Sequence, residues 1–124
     1  MSETAISRAI RERLVLERDV LIWRNNSGKL CDARGRWVTF GLGVGSADLI
    51  GLVQIPGIAG AVPLAVARTH GRFFALEVKA GKGSTTPEQD AWHAIVRKHG
   101  GFTRVVRFVD EAMAALEACR RGEP

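Results

Sequence analysis

Asp48, Glu77 and Lys79 are the residues of this chain whose types and spacing could do chemistry. Two carboxylates offer hard oxygen ligands to magnesium or manganese, and an amine beside them can position a water or stabilise charge developing on a phosphate. Together they form the set that metal-dependent phosphodiester hydrolysis requires. Glu77 and Lys79 end the run Phe73-Phe74-Ala75-Leu76-Glu77-Val78-Lys79. In a strand successive side chains alternate faces, so Phe73, Ala75, Glu77 and Lys79 point one way while Phe74, Leu76 and Val78 point the other. A run apolar on both faces reads as a buried central strand, where a charged pair is costly unless a metal ion or a phosphate compensates it. A Glu-x-Lys triplet is common, and most occurrences are surface ion pairs. Here the buried strand, the upstream acid, a capped helix downstream and a basic chain argue for more than that.

The elements around these residues must bring them together. Asp48 opens an apolar strand over about 48–53, and antiparallel pairing with the Phe73–Lys79 strand would set it beside Glu77, with the backbone carbonyl of Val78 as a further oxygen. Alone, such an acid reads as a turn residue or cap. The glycine-rich segment Gly41-Leu42-Gly43-Val44-Gly45-Ser46 leads into it. It lacks the G-x-G-x-x-G spacing and following helix of a dinucleotide loop, so a close backbone approach is the better reading. After Lys79 comes the basic loop Ala80–Thr85, then Thr86-Pro87-Glu88-Gln89, which has the Thr, Pro and Gln of a capping box for a helix over 87–98.

The rest of the chain supplies a scaffold. Ala5, Ile6, Ala9, Ile10 and Leu14 have the spacing of an amphipathic helix over 3–18, with Arg8, Arg11, Glu12 and Arg18 outward. A strand over 20–23 follows, then a polar turn at Arg24–Gly28 and a second turn around which Lys29, Arg34 and Arg36 cluster; singly these read as solvated surface, but with Arg24 and the helix arginines they could follow a phosphate backbone. Another strand is expected at 37–40, a strand over 62–67 after a loop at 54–60, a turn at 68–72, a strand over 102–109, and a last helix capped by Asp110.

A chain of 124 residues suits a single domain over 1–124 with its own core. Eighteen Lys and Arg against thirteen Asp and Glu leave a charge of +5, which favours polyanionic partners. Cys31 and Cys119 form no C-x-x-C motif and no leader-like segment is evident, so reduced thiols in a cytoplasmic protein are expected. Residues 49–67 carry no charge over 19 positions, but Pro56, Pro63 and three glycines interrupt them, which argues against a membrane helix.

The order Asp48, then Glu77-Val78-Lys79, then Thr86-Pro87-Glu88-Gln89 resembles the PD-(D/E)XK nuclease superfamily, and more closely its VRR-Nuc branch of virus-type replication and repair nucleases. Trp23-Arg24-Asn25-Asn26-Ser27-Gly28, Gly45-Ser46-Ala47-Asp48 and the Gln89/Trp92 pair are similar to further motifs of that branch, so the resemblance covers nearly the whole chain. It departs from the pattern at Ser7, where relatives often carry Gln, and in the long apolar 54–67 segment.

The resemblance implies a restriction-endonuclease-like α/β fold, a mixed central sheet flanked by helices. It implies that Asp48, Glu77 and the Val78 carbonyl bind Mg2+ or Mn2+ and that Lys79 orients the attacking water or stabilises the transition state. Glu3 would be a supporting acid and Gln89 a site residue, although the helix dipole accounts equally well for Glu3 and the capping box for Gln89. Arg24, Asn25, Asn26, Lys29 and Lys82 are the candidate DNA contacts. The expected function is a metal-dependent, structure-selective DNA endonuclease acting on branched DNA such as Holliday junctions. It would act as a homodimer through the 54–67 segment or the first helix. The alternatives are a non-catalytic basic DNA-binding module of the same fold and an interaction protein without nuclease chemistry.

Overall fold

A computed structural model describes residues 1–57 and 69–124. The chain runs α1 (Glu3–Leu14), β1 (Val20–Arg24), β2 (Gly28–Cys31), β3 (Trp37–Phe40), β4 (Leu49–Ile55), β5 (His70–Val78), α2 (Pro87–Lys98), β6 (Phe102–Val106) and α3 (Val109–Arg120). Four strands form a mixed sheet in the order β1-β4-β5-β6, antiparallel except for the parallel β5–β6 pair. Helix α2 makes the crossover that parallel neighbours require. The fold is α/β, with the nine-residue β5 at its centre.

The two faces of the sheet are covered unequally. Phe74, Leu76 and Val78 of β5, Leu49 and Val53 of β4, and Phe102 and Val106 of β6 turn to one side, where Ile6, Ile10 and Leu14 of α1 and Leu116 and Cys119 of α3 complete the core. The Phe74 and Phe102 rings stack there at 5.6 Å between centroids. Among the described residues the other face meets α2, through Phe73 against Trp92 and Thr103 against His93. Its far end, at the edge strand β1, leaves Leu21 and Trp23 exposed together with Leu52 of β4.

Several expectations are corrected. Helix α1 stops at Leu14 rather than 18, because its apolar stripe ends there and Glu17 and Asp19 turn to bind Arg120 of α3, at 3.2 and 2.6 Å. The second turn is present at 33–35, and it joins β2, a strand the sequence reading did not expect, to β3 in a separate two-stranded ribbon that carries Lys29. Strand β5 begins at His70, inside the expected turn, because ladder pairing with Ile55 continues that far. Strand β6 ends at Val106, and α3 is capped by the backbone of Phe108 with no side-chain bond, so Asp110 lies within its first turn instead of capping it. Gln54 and Ile55 belong to β4 and not to a loop. The strand expected over 62–67, and with it most of the 54–67 segment, lies outside the described residues. Among the described residues, no helix is long and apolar enough to cross a membrane.

Candidate active site

Asp48 and Glu77 meet because β4 and β5 are antiparallel neighbours. Leu49 pairs with Leu76, and one further step of that register sets Asp48 opposite Glu77. Asp48 is held there by the Val78 N–H, which donates to its Oδ2 at 2.8 Å. The approach to Asp48 is clamped from both sides. On one, the Asn25 side chain donates to Ser46 Oγ and to the Ala47 carbonyl, each at 2.8 Å, while its N–H donates to the Asp48 carbonyl at 2.8 Å. On the other, Gly45 runs so close to the N-terminus of α2 that a Cβ there would stand 2.3 Å from the Glu88 carbonyl oxygen, and its φ of +83° already favours glycine. The glycine-rich segment is therefore a close backbone approach, made to α2.

Glu77 is buried, with 2% of its surface exposed, and its two oxygens differ. Oε1 accepts from Gln89 Nε2 at 3.0 Å and stands 3.7 Å from Lys79 Nζ. Oε2 is buried and, among the described residues, accepts no hydrogen bond. An unpaired buried carboxylate oxygen is expensive, and neutralising the acid is the usual response. Burial first, then the neighbouring Asp48 carboxylate, through its charge and through a hydrogen bond from the protonated acid, pushes the Glu77 carboxyl up to about 8 against the opposing charge of Lys79. Lys79, the residue just after β5, is also buried, and it shares one side of the strand end with Glu77, as alternation requires.

Gln89 does both things the sequence offered it. Its Oε1 accepts from the Thr86 N–H at 2.9 Å, completing the capping box with Thr86 Oγ1, while its Nε2 holds Glu77. The amide thus ties the start of α2 to the acid on β5. Thr86→Ala should cost ~1 kcal/mol of stability through the cap alone. Gln89→Ala should cost about as much and also free Glu77 Oε1; if the site hydrolyses phosphodiesters with a metal, the rate should fall roughly tenfold where Thr86→Ala leaves it near the wild-type value. Thermal melts and cleavage rates on both variants check the pair.

A polar cleft of about 260 Å3 opens beside Asp48. The start of α1 forms one wall with Glu3, Ser7, Arg8 and Arg11, and Arg24, Asn26 and Ser27 form the other. Glu3 belongs to the site by position: its Oε2 and the Lys79 Cδ lie 3.9 and 3.8 Å from where a Cβ on Gly83 would stand. Its charge adds to the effects that raise the Glu77 pKa. Of the candidate DNA contacts, Arg24 and Asn26 line the cleft. Asn25 touches it too, but its amide is committed to Ser46 and Ala47, so it positions Asp48 and is not free to reach a phosphate. Lys29 lies outside on the ribbon and Lys82 in the exposed loop after β5. Arg8 and Arg11 of the cleft wall, expected on an outward helix face that with Arg24 could follow a phosphate backbone, share one stripe with Thr4 and Ser7.

His93, one turn after Gln89 on the same face of α2, escaped the sequence reading. It is buried, its Nδ1 meets the Thr103 hydroxyl and its Nε2 has no partner among the described residues. Burial first, and Arg97 second, hold its pKa below the ordinary value, so the ring is neutral and supports the sheet under the site.

The donor chemistry fits a hard divalent cation. Among the described residues no group of three or more His, Cys, Asp or Glu could hold a metal by itself. Two carboxylates nevertheless suit magnesium, which keeps several waters and takes one or two carboxylates together with substrate phosphate oxygens. The bare Glu77 Oε2 beside Asp48 is where such an ion would be expected. Neither a protein-family model nor a curated protein matches this chain.

Proposed function

We propose that this chain is a metal-dependent DNA endonuclease of the restriction-endonuclease-like kind, similar to the VRR-Nuc branch, and that it acts on branched DNA. The observation that carries the reading is the Glu77 carboxylate: fixed through Oε1 by Gln89 and Lys79, buried, and pressed against the Asp48 carboxylate, with Oε2 accepting no hydrogen bond among the described residues. A merely structural acid in a sheet would have both oxygens paired or would be replaced by an apolar residue at lower cost.

Asp48 and Glu77 would hold Mg2+ or Mn2+, with the Val78 carbonyl as a third protein oxygen. Bound there, the ion would lower the pKa of a coordinated water and polarise the scissile phosphate. The protein's own groups do the rest. Gln89 keeps Glu77 from rotating. The Val78 N–H and the Asn25 clamp keep Asp48 in place. Lys79 Nζ can hold the attacking water or bear on a non-bridging oxygen as negative charge builds there. Glu3 stands near Lys79 as an auxiliary acid. Arg8, Arg11 and Arg24 face the cleft from two elements and would bind the phosphates flanking the bond that breaks.

A homodimer suits paired incision of a four-way junction. The edge strand β1, with Leu21 and Trp23 exposed, offers apolar surface for a second copy besides α1 or the 54–67 segment.

The test is cleavage of end-labelled four-way junction, flap, single-stranded and linear duplex DNA with Mg2+, Mn2+ or EDTA. Metal-dependent cutting of the branched substrates is expected, with symmetric nicks in the junction if it is resolved. Binding of branched DNA with no cutting under either metal would favour the non-catalytic module, and absence of both would remove DNA from the function.

A further inference from the structure

The ribbon formed by β2 and β3 is the part of the fold that the proposed chemistry leaves unused. Gly28 pairs with Phe40 and Cys31 with Trp37, and among the described residues the two strands pair with each other alone. Among the described residues no other helix or strand packs substantially against them. A lone two-stranded hairpin is at best marginally stable in water. This one nevertheless exposes Leu30 at 65%, Val38 at 48% and Trp37 at 73% of their surfaces. A tryptophan so exposed, on an element with no other described helix or strand packed substantially beneath it, points to a partner.

The partner's chemistry follows from charge and position. Between Gly28 and Phe40 the chain carries Lys29, Arg34 and Arg36 against one acid, Asp32, which is engaged by Arg36 at 2.9 Å. Strand alternation and register place Lys29 and Trp37 on one face, with Leu30, Val38 and Phe40 on the other. The ribbon is also fixed to the site. It leaves from Asn26 and Ser27 in the cleft wall and returns to Asp48 through the segment that Asn25 clamps. At its base Gly41, with φ +81°, lies so close to Ser27 that a Cβ would meet the Ser27 Cα at 2.6 Å. Whatever the ribbon touches is thereby held at a set place relative to Asp48 and Glu77.

We propose that this ribbon engages unpaired bases at a DNA branch point, with Trp37 as the stacking platform and Lys29 and Arg34 on the adjoining phosphates. The inference rests on the nuclease reading for its site and deepens it by naming what selects the substrate. An indole stacks on a base only where the face of that base is free, at a flap, a junction centre or a single strand, and not inside a continuous duplex. The ribbon would then select a branched substrate while the cleft acts on the nearby phosphate.

The experiment uses the full chain in calcium, which permits binding without turnover. Wild type, Trp37→Ala and Trp37→Phe are titrated against a flap carrying 2-aminopurine at the first unpaired position and against linear duplex of the same length. Binding is read by anisotropy and by quenching, and oligomeric state by light scattering. The expected result is quenching by the wild type, a loss of about tenfold or more in flap affinity for Trp37→Ala, recovery of most of it by Trp37→Phe, and less than a twofold change on duplex. Equal loss on flap and duplex, or no loss at all, overturns the proposal. So does a Trp37→Ala protein that falls from dimer to monomer, because the face would then belong to a second copy. Cleavage assays in magnesium on the same proteins separate this from the wider reading. Metal-dependent cutting that is indifferent to Trp37 removes only the ribbon's role, whereas failure to bind or cut any DNA removes both.

Discussion

A Glu77→Gln variant is expected to lose at least about a hundredfold in metal-dependent cleavage and yet, in metal-free buffer above pH 8, to melt at a higher temperature than the wild type. The two effects have one cause. The buried carboxyl holds its proton up to about pH 8 in the folded chain, against an ordinary value of 4.5. Between those limits the folded state keeps a proton that the unfolded state gives up, so wild-type stability falls as pH rises from about 4.5 and the loss is complete above about 8. Glutamine keeps the hydrogen-bonding shape, carries no ionisable proton and removes that slope. The gain over wild type at pH 9 should amount to a few kcal/mol and vanish near pH 4.

Metal reverses the order. A cation binds the ionised carboxylate, so magnesium affinity should strengthen as pH rises toward 8, with release of about one proton per ion bound at neutral pH. Magnesium should then raise the melting temperature of the wild type and leave that of Glu77→Gln unchanged. Melting curves across pH with and without magnesium, together with calorimetric proton counting in two buffers, read all of this. A wild-type melting temperature flat between pH 5 and 9 would contradict the assigned state of Glu77. Loss of cleavage without loss of magnesium stabilisation would remove Glu77 as a ligand.

Phe74→Ala is expected to cost about 3–5 kcal/mol, a large share of the roughly 5–15 kcal/mol that holds a domain folded. Phe74 is fully buried on β5, stacks on Phe102 and belongs to the core that α1 and α3 close. Truncation leaves a cavity in rigid surroundings that cannot collapse into it. The melting temperature should drop on the order of 10–20 °C. Trp23→Ala, half-exposed on the edge strand, should shift it far less in the monomer. If the two variants melted alike, the apolar weight of the fold would not lie on the α1/α3 side of the sheet.

The sequence by itself determined the local parts of this protein. The α2 cap was legible because a capping box is a contact between residues three apart. Burial of β5 was legible in its two apolar faces, and the shared side of Glu77 and Lys79 in strand alternation. The pairing of Asp48 with Glu77 was also within reach, since two apolar strands of opposite direction leave few registers that bury both.

Tertiary structure decided whatever depends on contacts between residues distant in the chain. Helix α1 ends at Leu14 because Arg120, about a hundred residues on, draws Glu17 and Asp19 to itself. Asn25 looked like a DNA contact, but packing against the Ser46–Ala47 segment made it a clamp. Arg8 and Arg11 were readable as a basic group with Arg24, but only the fold set the Arg24–Ser27 wall opposite them across one cleft. The bare Glu77 Oε2 could not be read in advance at all: whether a buried oxygen is paired depends on every side chain that reaches it, and local sequence carries no record of those that do not.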